Sequence, residues 1–161
     1  MYERILVAID GGPSSALALS QAIAVAKLAA AEVKVLFVVD DSELFFESSY
    51  PESEDMMRAI ANVGTTALAR ASTRLESAGV RFLTELIERP ITPGQISATI
   101  VERADRWPAD LIVMGTHGRR GLRRLIMGSV SEGVIAQTCK PVLLIRGEAS
   151  PVRRPAHVGA S

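Results

Sequence analysis

The chain carries a single cysteine, Cys139, which excludes an intrachain disulfide and fits a reducing compartment. It is expected as a small, partly buried side chain. Aromatic residues make up only 4% of the sequence against 48% apolar overall, so an aliphatic core of helices on a sheet is expected, not a ring-rich interface. Neither sign of charge is in excess. With 18 basic and 18 acidic residues the formal net charge is zero, and the bulk balance points to neither nucleic acid nor a membrane surface. Long hydrophobic runs are missing too. The N-terminal MYERILVAIDGG holds an apolar run too short for a secretory leader or a membrane span, and the expected location is the cytoplasm. A P-loop lysine motif is absent, as is any set of histidines, cysteines or carboxylates at metal-ligand spacing. His157 lies in a C-terminal stretch with no packing pattern. His117 has no evident carboxylate to orient it, which favours an exposed loop residue over a catalytic base.

What the chain does have is an alternation of two periodicities. Residues 5–9 form a continuous apolar run closed by Asp10-Gly11-Gly12, the pattern of a strand buried on both faces. Pro13, Ser14 and Ser15 then open a helix whose Leu19, Ile23, Ala26 and Ala30 recur at helical spacing. A second strand is expected over 33–39. From residue 41 to about 54 the pattern dissolves into SELFFESSYPES, read as an irregular excursion in which Phe45 and Phe46 pack as a lid or simply ride on a loop. Met56, Ile60, Val63, Ala67, Ala71 and Leu75 mark a long helix ended by Gly79, with Gly64 as an internal weakness. Residues 81–87, with Phe82, Leu83, Leu86 and Ile87 as apolar positions, give a more polar third strand nearer a sheet edge. A helix over 93–106 closes at Trp107-Pro108, and strands at 111–114 and 142–146 flank a last helix. Strands alternating with helices imply one α/β domain, residues 1–147, with a parallel sheet covered on both faces, and residues 148–161 read as a flexible tail.

The most telling stretch is 113–132, VMGTHGRRGLRRLIMGSVSE. An apolar strand runs into Gly115, Gly118 and Gly128, and a helix follows. Glycine permits close backbone approach and a helix N-terminus favours negative charge, so phosphate is the expected occupant. Ser129, Val130, Ser131 and Glu132 match a capping box, in which Ser129 is the cap, a phosphate ligand, or both. Arg119, Arg120, Arg123 and Arg124 between the glycines suit phosphate oxygens, although loop arginines are commonly just solvated.

The spacing Gly115, two residues, Gly118, nine residues, Gly128-Ser129 resembles the nucleotide signature of the universal stress protein family, in its ATP-binding branch. The resemblance runs from about Ile5 to Arg146. It implies an open five-stranded sheet of order 3-2-1-4-5, whose ligand crevice lies where the order reverses, with Asp10 facing Gly115 across it. Carried over by position, Ala8 and Asp10 become adenine and ribose neighbours beside the Gly11 turn, and Val38 an apolar contact on the base. Met114 and Gly115 border the nucleoside, Gly118 and Arg119 the phosphates, and Gly128, Ser129, Val130 and Ser131 supply amides and hydroxyls to the phosphate chain. Asp10 also suits a plain turn before the first helix. Many members have Asp-Gly-Ser after the first strand; here Gly12 replaces the serine and removes a hydroxyl.

The resemblance implies an ATP-holding regulatory module of the stress response, a homodimer through the last strand, whose state is read by a protein partner. The triphosphate would bring Mg²⁺, held largely by phosphate and water. Two other readings stand beside it. One is an enzyme, a slow ATPase or an adenylating enzyme like the ATP pyrophosphatases, although their loop begins with Ser and has Asp fifth, where this chain has Asp10 and Ser14. The other is a structural dimer without ligand.

Overall fold

In the computed structural model the described residues are 1–40, 50–90, 95–116 and 127–147, with backbone alone for 50–54 and 56. The aromatic pair Phe45 and Phe46, the Gly118 and Arg119 region with His117, and the C-terminal tail lie outside them.

The described residues form one five-stranded sheet in the order β3-β2-β1-β4-β5. Strand β1 spans Arg4–Ile9, β2 Glu32–Val38, β3 Phe82–Ile87, β4 Leu111–Gly115 and β5 Val142–Ile145. Helix α1 spans Pro13–Ala29, α2 Tyr50–Ser77, α3 Ile96–Arg106 and α4 Ser129–Gln137. All neighbouring strands are parallel. Each crossover therefore carries a helix back over the sheet, and the central strands are apolar on both faces. Ile5, Val7, Ile9, Val33, Val35 and Phe37 pack with α1 and α2. Leu6, Leu36, Ile112 and Met114 pack with α3 and α4. No helix among the described residues is long and apolar enough to cross a membrane.

Local chemistry explains the element ends. Pro13 occupies the first turn of α1, where its missing N–H costs nothing. The helix stops at Ala30, which is exposed and left-handed at φ 54° and is therefore its cap, not the fourth apolar position the spacing suggested. Gly79, at φ +69°, ends α2 as expected. The start of α2 differs from the reading of 41–54 as irregular throughout, because the helix already runs from Tyr50. Leu83 is also turned outward, 46% exposed, since β3 is an edge strand and its neighbours do not cover that position. On the same strand Glu85 sits 2.6 Å from Lys34 and 3.4 Å from Arg103, tying β3 to β2 and α3. Cys139 proves exposed, because it falls past the last turn of α4, short of β5.

The opposite end of the sheet from the glycine loop is pinned by Asp110. Its carboxylate accepts the backbone N–H of Glu3 at 2.8 Å and of Arg4 at 2.9 Å, and these two bonds hold its pKa below the usual carboxylate value. A depressed folded-state pKa means stability that is present above the unfolded value and is lost as pH falls through the folded one, below about 4. Asp110→Ala should therefore lower stability at pH 7 by about 1 kcal/mol, discounted for solvent exposure. That gap should close as thermal melts are taken toward pH 2.5. A gap of constant size across pH would assign the loss to something other than the carboxylate's charge.

Candidate functional site

The order of the sheet reverses between β1 and β4: the chain leaves β1 through α1 to β2 on one side, and β4 is added on the other. The crevice of an open parallel sheet lies beyond the carboxyl ends of its strands at such a reversal. Ala8 pairs with Met114 in register, so Asp10 and Thr116 leave the sheet side by side. Met114 is buried, and Ala8, Val38 and Val130 are half-buried in the same cluster on the α3/α4 face. Three expected neighbours of the nucleoside, Ala8, Val38 and Met114, thus share one wall with Val130, which was expected at the phosphates.

The polar side of the crevice is built from two helix starts. Gly12 is the N-cap of α1 and Gly128 the N-cap of α4, and neither helix has a side-chain cap. Gly128 is extended at φ −67° and ψ 154°, and its carbonyl accepts the N–H of Glu132 at 3.0 Å. This corrects the expected capping box. The cap falls one residue earlier, Ser129 becomes the first helical residue with an exposed side chain, and Glu132 has no cap amide to reach back to. The amides of Ser129, Val130 and Ser131 therefore have no intrahelical acceptor and no capping oxygen among the described residues. Such an end is electrostatically suited to an anion.

Asp10 does make the turn: its Oδ1 accepts the Gly12 N–H at 2.8 Å. That occupies one oxygen and holds the carboxylate at the end of β1. Gly11 is left-handed at φ +81°, and a Cβ there would point at Val63 Cγ1, 3.6 Å away on α2. Its outer side thus belongs to a separate hollow of about 350 Å³ lined by Gly11, Asn62, Val63, Thr66, Ala67 and Arg70. Only backbone atoms of Gly11 are free to serve the crevice. Gly115 has a different reason to be glycine, since a Cβ would lie 2.9 Å from Ser14 Cβ and 3.1 Å from the Ser14 carbonyl carbon. What fills its missing side chain is α1.

Two residues that the sequence reading passed over hold this corner together. Thr116 donates its N–H to Ile145 O at 2.9 Å and accepts the Gly128 N–H at 2.7 Å, so the residues flanking the glycine loop are bonded directly to each other and to β5. Ser14 Oγ donates to the same Ile145 carbonyl at 3.2 Å. The available signal was positional: a hydroxyl residue immediately past a strand, or in a helix's first turn, commonly bonds backbone there. Ser131 is 2% exposed and its Oγ lies 2.9 Å from Gly128 O and 3.3 Å from Thr116 O.

The fold defines an open parallel α/β protein whose sheet order reverses between β1 and β4. Residues 1–146 match the model of the Universal stress protein family, and the chain belongs to that family. It is 36% identical over 146 residues to Universal stress protein MJ0531 of Methanocaldococcus jannaschii, covering 91% of this chain and 83% of that one. Among solved structures it is similar to the MJ0577 protein, at TM-score 0.80 and 28% identity over 93% of this chain and 99% of that one. It is likewise similar to a universal stress protein from Archaeoglobus fulgidus in complex with dAMP, at TM-score 0.62 and 25% identity over 89% of this chain and 98% of that one.

Proposed function

We propose that this chain binds ATP in the β1/β4 crevice and acts as a nucleotide-dependent regulatory module. The observation that carries this reading is the uncapped start of α4, held against the end of β4 and adjoining the apolar wall of Ala8, Val38, Met114 and Val130. The wall suits a purine and the three open amides suit phosphate oxygens. The free side of the Asp10 carboxylate would accept a ribose hydroxyl. That an Archaeoglobus fulgidus relative was solved with dAMP supports an adenine nucleotide as the ligand class. The phosphates and water would hold Mg²⁺; among the described residues no group of His, Cys, Asp and Glu is arranged to do so.

Calorimetric titration of the purified protein with ATP and with AMP tests the reading directly. ATP should bind at least about tenfold more tightly than AMP, a difference of about 1.4 kcal/mol from the added phosphates on the α4 amides. Equal affinity would remove the phosphate chain from the site, and rapid conversion of bound ATP to ADP would replace a binder with a hydrolase.

The same reading includes a homodimer through β5. This strand ends the sheet, and its four residues, Val142, Leu143, Leu144 and Ile145, are all only half-buried. An apolar edge of this kind is open to pairing with a second copy. Leu143→Lys should shift the protein to monomer in analytical ultracentrifugation, and an unchanged dimer would move the interface elsewhere.

A further inference from the structure

We propose that Ser131 is a positioning residue that closes the stem of the glycine loop, and that its hydroxyl is not a phosphate ligand. The proposal deepens the nucleotide-binding reading and rests on it for the location of the site. A serine hydroxyl has one proton to donate. The two oxygens beside Ser131 Oγ, Gly128 O at 2.9 Å and Thr116 O at 3.3 Å, are carbonyls and can only accept. The proton is therefore committed to them, and a phosphate oxygen, itself an acceptor, finds no donor left on this side chain. At 2% exposure the hydroxyl is also closed off from an incoming ligand.

What the hydroxyl does is join the two sides of the loop base. Thr116 and Gly128 are already bonded through the Gly128 N–H at 2.7 Å, and Ser131 adds a second attachment from inside the first turn of α4. The Thr116 N–H is fixed in turn to Ile145 O on β5. Residues 117–127 therefore leave and re-enter the fold through one cross-braced stem. Part of the entropy of closing that loop is lost before any ligand arrives, and the Ser129, Val130 and Ser131 amides keep a fixed aim relative to β4.

The test compares Ser131→Ala with the wild type in two assays: ATP affinity by calorimetry, and the rate of tryptic cleavage at Arg119, Arg120, Arg123 and Arg124 without nucleotide. Val134→Ala serves as control, because it removes a fully buried side chain from the same helix without touching the stem. Ser131→Ala should speed cleavage at these arginines severalfold and weaken ATP binding about tenfold, while Val134→Ala lowers the melting temperature and leaves cleavage there near the wild-type rate. Weakened ATP binding with unchanged cleavage would make the hydroxyl a direct ligand and overturn the proposal. Equal acceleration by Val134→Ala would do the same, by assigning the effect to general loss of stability. If the wild type binds no adenine nucleotide the functional reading fails, while the cleavage assay still decides whether Ser131 braces the stem.

Discussion

Gly115→Ala should melt about 2 to 12 °C below the wild type, although the position lies in a nucleotide signature and would ordinarily be tested for binding alone. The added methyl would lie 2.9 Å from Ser14 Cβ and 3.1 Å from the Ser14 carbonyl carbon. The second of these is backbone in the first turn of α1, so relief requires moving the helix, not rotating a side chain. Overpacking of this kind costs about 1–3 kcal/mol, and in a chain of this size each kcal/mol shifts the midpoint by about 2–4 °C. A double-mutant cycle with Ser14→Gly isolates the cause. If the contact is responsible, the double variant is more stable than the sum of the two single losses implies, by about 1 kcal/mol. Strict additivity would assign the loss to the Ser14 backbone contact and not to its side chain, whereas a Gly115→Ala protein as stable as the wild type would show that α1 can shift without penalty.

Some elements of this fold were legible in the sequence and others were not. The strands were, because a buried parallel strand is a short apolar run: 5–9 and 111–114 are unbroken, 33–39 is interrupted only by Lys34, and 142–145 closes at Arg146. The edge position of β3 followed from its polarity. Less legible was anything decided by a partner distant in sequence. Gly64 scored as a flaw in α2, yet a Cβ there would lie 2.7 Å from Phe37 Cδ1 and 2.7 Å from Leu86 Cδ1, so the gap lets the helix close on the sheet. Helix propensity speaks only for the isolated helix; the packing of α2 on β2 and β3 decides the residue.

The early start of α2 was partly legible, since Pro51 followed by Glu52 and Glu54 is suitable chemistry for a first turn. Apolar recurrence begins only at residue 56 and does not mark this turn. The capping box failed for a related reason. A glycine before Ser129 gives the helix a second, earlier register in which the box does not form, and the Gly128 N–H bond to Thr116 O selects that one. That bond joins residues whose proximity depends on the path of the intervening loop, about which the sequence pattern is silent. The slip matters for function: a box-capped α4 would have turned a side chain onto amides that the correct register leaves open.

That opening makes Gly128→Val the substitution with the largest expected effect on binding. At φ −67° and ψ 154° the backbone of Gly128 lies where any L-residue is comfortable, so its conformation does not require glycine. No side-chain cap is forfeited, because glycine supplies none, but glycine is much preferred to valine at an N-cap and the substitution should cost the helix about 1 kcal/mol. The variant should fold, with a melting temperature about 2 to 4 °C below the wild type. A β-branched side chain at the N-cap, however, stands where phosphate oxygens must approach the amides of Ser129, Val130 and Ser131. Affinity for ATP should fall at least a hundredfold, about 2.7 kcal/mol, while AMP, with a single phosphate, loses less. The two ligands separate the possible causes. A uniform loss would mean that the crevice itself has been distorted, and retained ATP affinity in a folded Gly128→Val protein would place the phosphate chain away from α4.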